Sequence, residues 1–173
     1  KQNKVFFTGP TTIKNTNLEI YTEQGYYDIV SRQSIFENYP RYKQGNQYAD
    51  AQIIYNDNNN GITILKGNAF IRDSVKEAKG DSIYINDKTN WVNIIGHAEY
   101  KEGNRILKGE KINYNRKTGS LDVEGETSVT EGSRTITSKT LQYDQKTDFG
   151  KAIGTVSVVD TNSGYTLHCD TLE

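Results

Sequence analysis

The chain is predicted to be all-β and repetitive: two antiparallel sheets with an apolar seam, built from about six repeats of 29 residues. Three observations predict this. Gly9, Gly67, Gly96, Gly125 and Gly154 fall on one 29-residue period, and Asn38 fills the one vacant position. With only 15 Gly in 173 residues, that spacing is not chance, and asparagine is the side chain that best tolerates glycine-like backbone angles. Residues around each glycine alternate apolar and polar with period two, as a half-buried strand requires. Asn/Asp/Gly-rich clusters, which are turn chemistry, recur between the strands. A fixed period of this size means a stacked repeat, a scaffold with a long surface and not a container for one catalytic pocket.

The glycine strands begin with Val5, Phe7, Gly9, Thr11 and Ile13, followed one period later by Phe36, Asn38, Pro40 and Tyr42. They continue as Leu65, Gly67, Ala69, Ile71, then Val92, Ile94, Gly96, Ala98, Tyr100. The last two are Leu121, Val123, Gly125, Thr127, Val129 and Ala152, Gly154, Val156, Val158. Intervening residues such as Lys66, Asn93, Glu99 and Asp122 are mostly polar, so one face meets the interior and the other meets water. Glycine recurring inside a strand marks a bend or a close approach of backbones. A second strand precedes each glycine strand, marked by Ile53/Tyr55, Ile83/Ile85, Ile112/Tyr114 and Leu141/Tyr143. Tyr26-Tyr27-Asp28 is read one repeat before Ile54-Tyr55-Asn56. Polar turns follow, from Asn56 to Gly61, Asn86 to Asn90, Asn115 to Gly119 and Asp144 to Asp148. Ser31 to Glu37 could form a turn of helix, but its alternation argues for strand. Pro10 and Pro40 follow the first two comb positions only and suggest a modified N-terminal cap, because proline cannot donate to a sheet ladder.

The expected organisation is one domain over residues 1–173, with modified repeats in 1–47, regular ones in 48–173 and a truncated last one. The chain starts at Lys1 and stops a few residues into a fresh repeat, so it is expected to be a piece of a longer protein with targeting sequence removed. The hydrophobic fraction of 34% is low for a thick core and suits a thin body with one seam. Basic and acidic residues number 21 and 22, which leaves no field to recruit nucleic acid or an anionic membrane. No apolar run approaches a membrane-spanning length, and the single Cys169 excludes an internal disulfide.

Chemical constellations are sparse. Asn56 to Gly61 spaces its polar residues like the start of a calcium loop, but Gly67 stands where a bidentate Glu is needed, so it reads as a hairpin turn. His168 and Cys169 are strand neighbours and point to opposite faces, which gives no zinc sphere. Two histidines offer little for a nucleophile–base pair. Asp50, Asp81 and Glu110 recur at nearly equivalent repeat positions and suggest a carboxylate ladder on one rim. Tyr39-Pro40-Arg41-Tyr42-Lys43 interleaves aromatic and basic residues, but a single short stretch in a neutral chain reads better as an edge or cap. No catalytic residue, cofactor or metal is expected, and the chain is read as a non-enzyme.

The repeated unit Lys108-Gly109-Glu110-Lys111-Ile112-Asn113-Tyr114, Lys117-Thr118-Gly119, then Leu121 to Val129, resembles the OstA/LptA-type repeat of bacterial lipopolysaccharide transport. The opening, Phe6 to Thr12, Ile20 to Glu23 and Gly25 to Asp28, is similar to OstA-like proteins of the Bacteroidetes group. The resemblance covers essentially the whole chain. It departs from the pattern at Asn38 and in the stretch Asn38 to Gln47, which reads as an insertion. The resemblance implies a β-jellyroll, or β-taco, with two sheets folded into a V. It further implies lipid A acyl chains in the seam, a periplasmic location between the membranes, and end-to-end joining with other such domains into a bridge. The lipid-contacting residues are then expected to be Phe7, Ile13, Phe36, Leu65, Ile71, Val92, Ile94, Leu121, Val123, Val129, Val156 and Val158. Similar stripes in successive repeats imply sliding between equal stations. Ile94→Glu or Val123→Glu is expected to abolish acyl-chain binding. The unpaired end strands, Lys4 to Ile13 and Tyr165 to Glu173, are expected to join head to tail. The alternative is a β-solenoid structural or adhesive protein that binds protein or glycan through its outer face. A polysaccharide-processing β-helix enzyme fits less well, since its acids should break the repeat symmetry.

Overall fold

A computed structural model describes residues 3–173, and every regular element among them is a β-strand. Eight short strands come first: β1 (Lys4–Phe7), β2 (Thr11–Lys14), β3 (Leu18–Thr22), β4 (Gln24–Asp28), β5 (Gln33–Glu37), β6 (Arg41–Gln44), β7 (Gln47–Asp50) and β8 (Ile53–Asp57). Eight longer ones follow: β9 (Ile62–Asp73), β10 (Lys76–Asn86), β11 (Trp91–Glu102), β12 (Arg105–Asn115), β13 (Ser120–Glu131), β14 (Arg134–Asp144), β15 (Phe149–Asp160) and β16 (Tyr165–Leu172). All pairings are antiparallel. β9 pairs with β8 through Ile62 to Lys66 and with β7 through Phe70 to Asp73, so its two halves belong to two walls. β1, β4, β5 and β8 extend the first wall, and β2, β3, β6 and β7 extend the second. Each long strand from β9 onward passes through the fold line and serves both walls. The result is a V-shaped jellyroll.

Backbone angles place the fold line at the glycine comb. Gly67, Gly96, Gly125 and Gly154 have φ of 77°, 72°, 74° and 84°, and the residues after them, Asn68, His97, Glu126 and Thr155, lie at 48–51°. Two consecutive left-handed residues turn the strand, and glycine takes the first without steric cost. Asn38 and Tyr39 make the same turn, at φ 61° and 57°, between β5 and β6. The stretch Asn38 to Gln47 is therefore no insertion. It is a bend, a half-strand and a tip turn, and β7 continues one period ahead of Lys76. Gly9 is the exception in the comb, with no left-handed angle.

The face alternation holds except for a one-residue slip in β4 and β8. Leu65, Ile83, Ile94, Ile112 and Val123 are at most 1% exposed and fill the crease from the first wall. Small residues stand opposite: a Cβ on Gly80 would lie 2.8 Å from Ile94 Cγ2, and one on Gly109 2.6 Å from Val123 Cγ1. Ile53/Tyr55, however, is not the inward pair of its strand. Ile54 is the buried residue there, aligned with Leu65, while Ile53 is 37% exposed. In β4, Gly25, not Tyr26, takes the corresponding place opposite Phe36. A one-residue slip exchanges the two faces of a strand, and the apolar residues on both faces of β4 and β8 hid it. At the other end, the longer turn Thr161 to Gly164 shifts β16 two residues, so Leu172 pairs with Ala152.

Candidate functional site: an apolar trough between two walls

All twelve seam residues named from the sequence lie in the core cluster or pack against it. They divide by depth. Phe36, Leu65, Val92, Ile94, Leu121, Val123, Val156 and Val158 are buried, whereas Phe7, Ile13, Ile71 and Val129 are only partly so. The crease itself is closed by side chains, so a guest must lie further out, between the free tips. There the trough is open beside β14–β16, with a cavity of about 410 Å³. Its apolar lining includes Leu107, Val129 and Ile136 from the second wall and Leu141, Ala152 and Leu172 from the first. Of the twelve predicted residues only Val129 lines it. Leu107 and Ile136 were missed because they lie in the half-strand before the bend, outside the glycine stripe. The period of 29 was the signal that could have found them, since Ala78, Leu107 and Ile136 occupy one row.

The rims are charged in a regular way. On the second wall's lip, Lys76 Nζ meets Glu102 Oε1 at 3.0 Å, Arg105 Nη2 meets Glu131 Oε2 at 3.1 Å, and Arg134 Nη2 meets Asp160 Oδ2 at 3.6 Å. Both partners advance 29 residues at each step. Burial pulls the Lys76 pKa down, but the hydrogen bonds to Tyr114 and Glu102 outweigh it and leave it above the ordinary lysine value. Burial likewise pushes Glu102 up, and Lys76 overcomes this to hold it below the usual carboxylate range. On the first wall's tips, Lys88, Lys117 and Lys146 also recur every 29 residues. They are exposed and have no ion-pair partner among the described residues. Neighbouring members of each row are two strands apart, about 10 Å.

Other sequence features resolve into local structure. Asp57 Oδ1 accepts from the backbone N–H groups of Asn59 and Asn60, both at 3.1 Å, so the calcium-like loop is an Asx turn. The carboxylate ladder is corrected. Asp81 and Glu110 cover the fold-line glycines Gly96 and Gly125, but the equivalent over Gly67 is Gln52, while Asp50 pairs with Phe70 on the second wall. Lys139 completes the row over Gly154, which makes it a mixed spine. In β16, Cys169 packs against the core.

A family model described as "OstA-like protein" matches residues 46–169, and the chain belongs to that family. In fold it is similar to the crystal structure of LptH, described as the LptA-homologous periplasmic component of the lipopolysaccharide transport device of Pseudomonas aeruginosa. That match has a TM-score of 0.58 at 14% identity and covers 65% of this chain and 93% of LptH. No curated protein sequence matches the chain.

Proposed function

We propose that this chain is a periplasmic carrier of lipopolysaccharide that shelters lipid A acyl chains in the trough and passes them toward the outer membrane. The observation that carries the reading is the open part of the trough, apolar within and flanked by regular cation rows. Each methylene kept from water is worth about 0.8 kcal/mol, so an acyl chain of about a dozen carbons gains roughly 10 kcal/mol from shelter. Sugar and phosphate then stay at the mouth, within reach of Lys88, Lys117 and Lys146 on one side and Arg105 and Arg134 on the other. Family membership and the likeness to a periplasmic component support the compartment. The edges of β1, β2 and β16, each paired on one side only, suit head-to-tail joining with a second copy or with other OstA-like domains of a bridge. Residues 1–173 act in this reading as one domain.

The test is photocrosslinking to lipid A from a reactive residue at position 129, with and without Ile136→Glu. The variant is expected to lose the adduct while keeping its circular dichroism spectrum. An undiminished adduct in the folded variant would contradict the trough reading. Ile94→Glu and Val123→Glu are poor probes, because a charge at those closed crease positions has no water to reach and unfolds the chain.

One observation favours the alternative of an outer-face binder. Across the first wall's outer surface, Phe6, Tyr26, Ile35, Tyr55, Ile64 and Tyr84 are consecutive cross-strand partners and form an apolar, tyrosine-rich stripe. Binding of a protein or glycan that is lost in Tyr55→Ser/Tyr84→Ser but kept in Ile136→Glu would select that reading.

A further inference from the structure

The walls are joined through their bent strands, so a contact between the free tips is a separate tie. One such tie stands across the middle of the mouth. Lys76 Nζ, at the start of β10 on the second wall, donates to Tyr114 Oη, at the end of β12 on the first, at 2.8 Å. The Tyr100 and Tyr114 rings face each other across the gap, with centroids 5.2 Å apart. The Tyr100 hydroxyl donates to Glu102 Oε2 at 3.2 Å, and Gln145, in the first wall's turn after β14, donates to the same oxygen at 2.8 Å. Lys76 completes the group through its ion pair with Glu102. These partners are 38 and 43 residues apart and come from strands that are not sheet neighbours. One period later Arg105 lies over the Tyr143 ring, 4.7 Å from its centre, repeating the Lys76–Tyr114 arrangement. The next cation, Arg134, faces no tyrosine across the mouth among the described residues and lines the open cavity.

We propose that the trough is not a run of equal stations: it holds one acyl-chain station at its C-terminal end, bounded on the N-terminal side by this two-rung gate. The inference rests on the reading of the trough as an acyl conduit. Rings at 5.2 Å are in direct contact, so a hydrocarbon chain travelling between the tips cannot pass Tyr100 and Tyr114 while the tie is closed. The station beside Val129 and Ile136 is reached without disturbing it. The tie is built to part. Its polar groups all lie at the lips, where Lys76, Glu102 and Gln145 exchange protein partners for water as the tips separate. A wholly apolar closure at the same place would instead expose hydrocarbon on opening.

The experiment uses the full chain in a Cys169→Ser background, with Glu102→Cys and Gln145→Cys joined across the mouth by a short, reducible bifunctional thiol reagent. A photoreactive residue is placed at position 136, in the station, or at position 71, beyond the gate, and the probe is lipid A. In the locked protein the adduct at 71 is expected to fall about ten-fold while that at 136 stays within about two-fold. Reductant restores the first, which shows that the same molecules are folded. Lys76→Ala, which loosens the tie without a bridge, is expected to raise the adduct at 71. Equal adducts at 71 in locked and reduced protein overturn the gate and leave the conduit standing. No adduct at either position in the unlocked protein overturns the conduit, and the gate with it.

Discussion

Asp28, Asp57, Asn86, Asn115 and Asp144 stand one period apart at the first wall's tips, and each closes its turn in the same way. The side-chain oxygen of each accepts from the backbone N–H groups two and three residues ahead, at 2.8–3.1 Å. Where the residue is Asp, the bond favours the charged form. Hydrogen bonds from Asn60 and Gln33 hold the Asp57 carboxyl at about 2, and Asp28 and Asp144 are lowered chiefly by the backbone N–H groups of Ser31 and Thr147. A folded-state pKa below the unfolded one gives stability that is full above about pH 4 and is lost as pH falls toward the folded value. Asp57→Asn keeps the acceptor, as Asn86 and Asn115 do naturally, and removes the titration. Its melting temperature is expected to fall less than the parent's between pH 5 and pH 2.5. Parallel melting curves for the two proteins across that range would refute the linkage.

At the scale of the strand, the fold line combines two different demands for glycine, and they can be separated by substitution. Gly96 is held at φ 72°, and a Cβ there would collide with the Asp81 carboxylate. The exposed Asp81 carboxylate can swing aside, but its Cβ, 2.9 Å away, moves only with the backbone. Gly96→Ala is therefore expected to cost the left-handed strain of about 1–2 kcal/mol together with a small backbone shift. Gly109 has no such angle, but a Cβ there would press on the immobile Val123. Gly109→Ala is expected to cost about 1–3 kcal/mol through overpacking. Urea denaturation measures both. A Gly109→Ala protein as stable as the parent would mean that the crease is looser than its geometry. The comb was legible because left-handed backbone angles are a local property and leave a residue-type signature, even at Asn38. The faces of β4 and β8 were not, because Tyr26 and Tyr55 are apolar enough to suit a core while lying on the outer stripe.

For the molecule as a whole, the stacked strands end in edges with unpaired backbone groups, and the C-terminal edge carries Tyr165 and Leu167 at 45% and 42% exposure. Strand addition there is expected to give concentration-dependent association in sedimentation velocity. Tyr165→Lys/Leu167→Lys should abolish it, since charge on an edge strand opposes pairing. A parent chain that stays monomeric at high concentration would remove self-association from the proposal. The cation rows and the trough run along the stacking axis, and the edge strands β1, β2 and β16 lie across its two ends.

The amino-acid order by itself determined the period, the bends and the alternation of faces. These follow from backbone angles and side-chain direction within a few residues, and each repeat restates them. Which apolar residues remain within reach of a guest was decided by the angle between the walls. That angle buries Ile94 and Val123 in the crease and leaves Val129 and Ile136, nearer the tips, only partly buried beside the cavity. The tie of Lys76, Tyr100, Glu102, Tyr114 and Gln145 also exists only in three dimensions. Its members have no common spacing and meet because two walls, folded from distant segments, bring their free tips together.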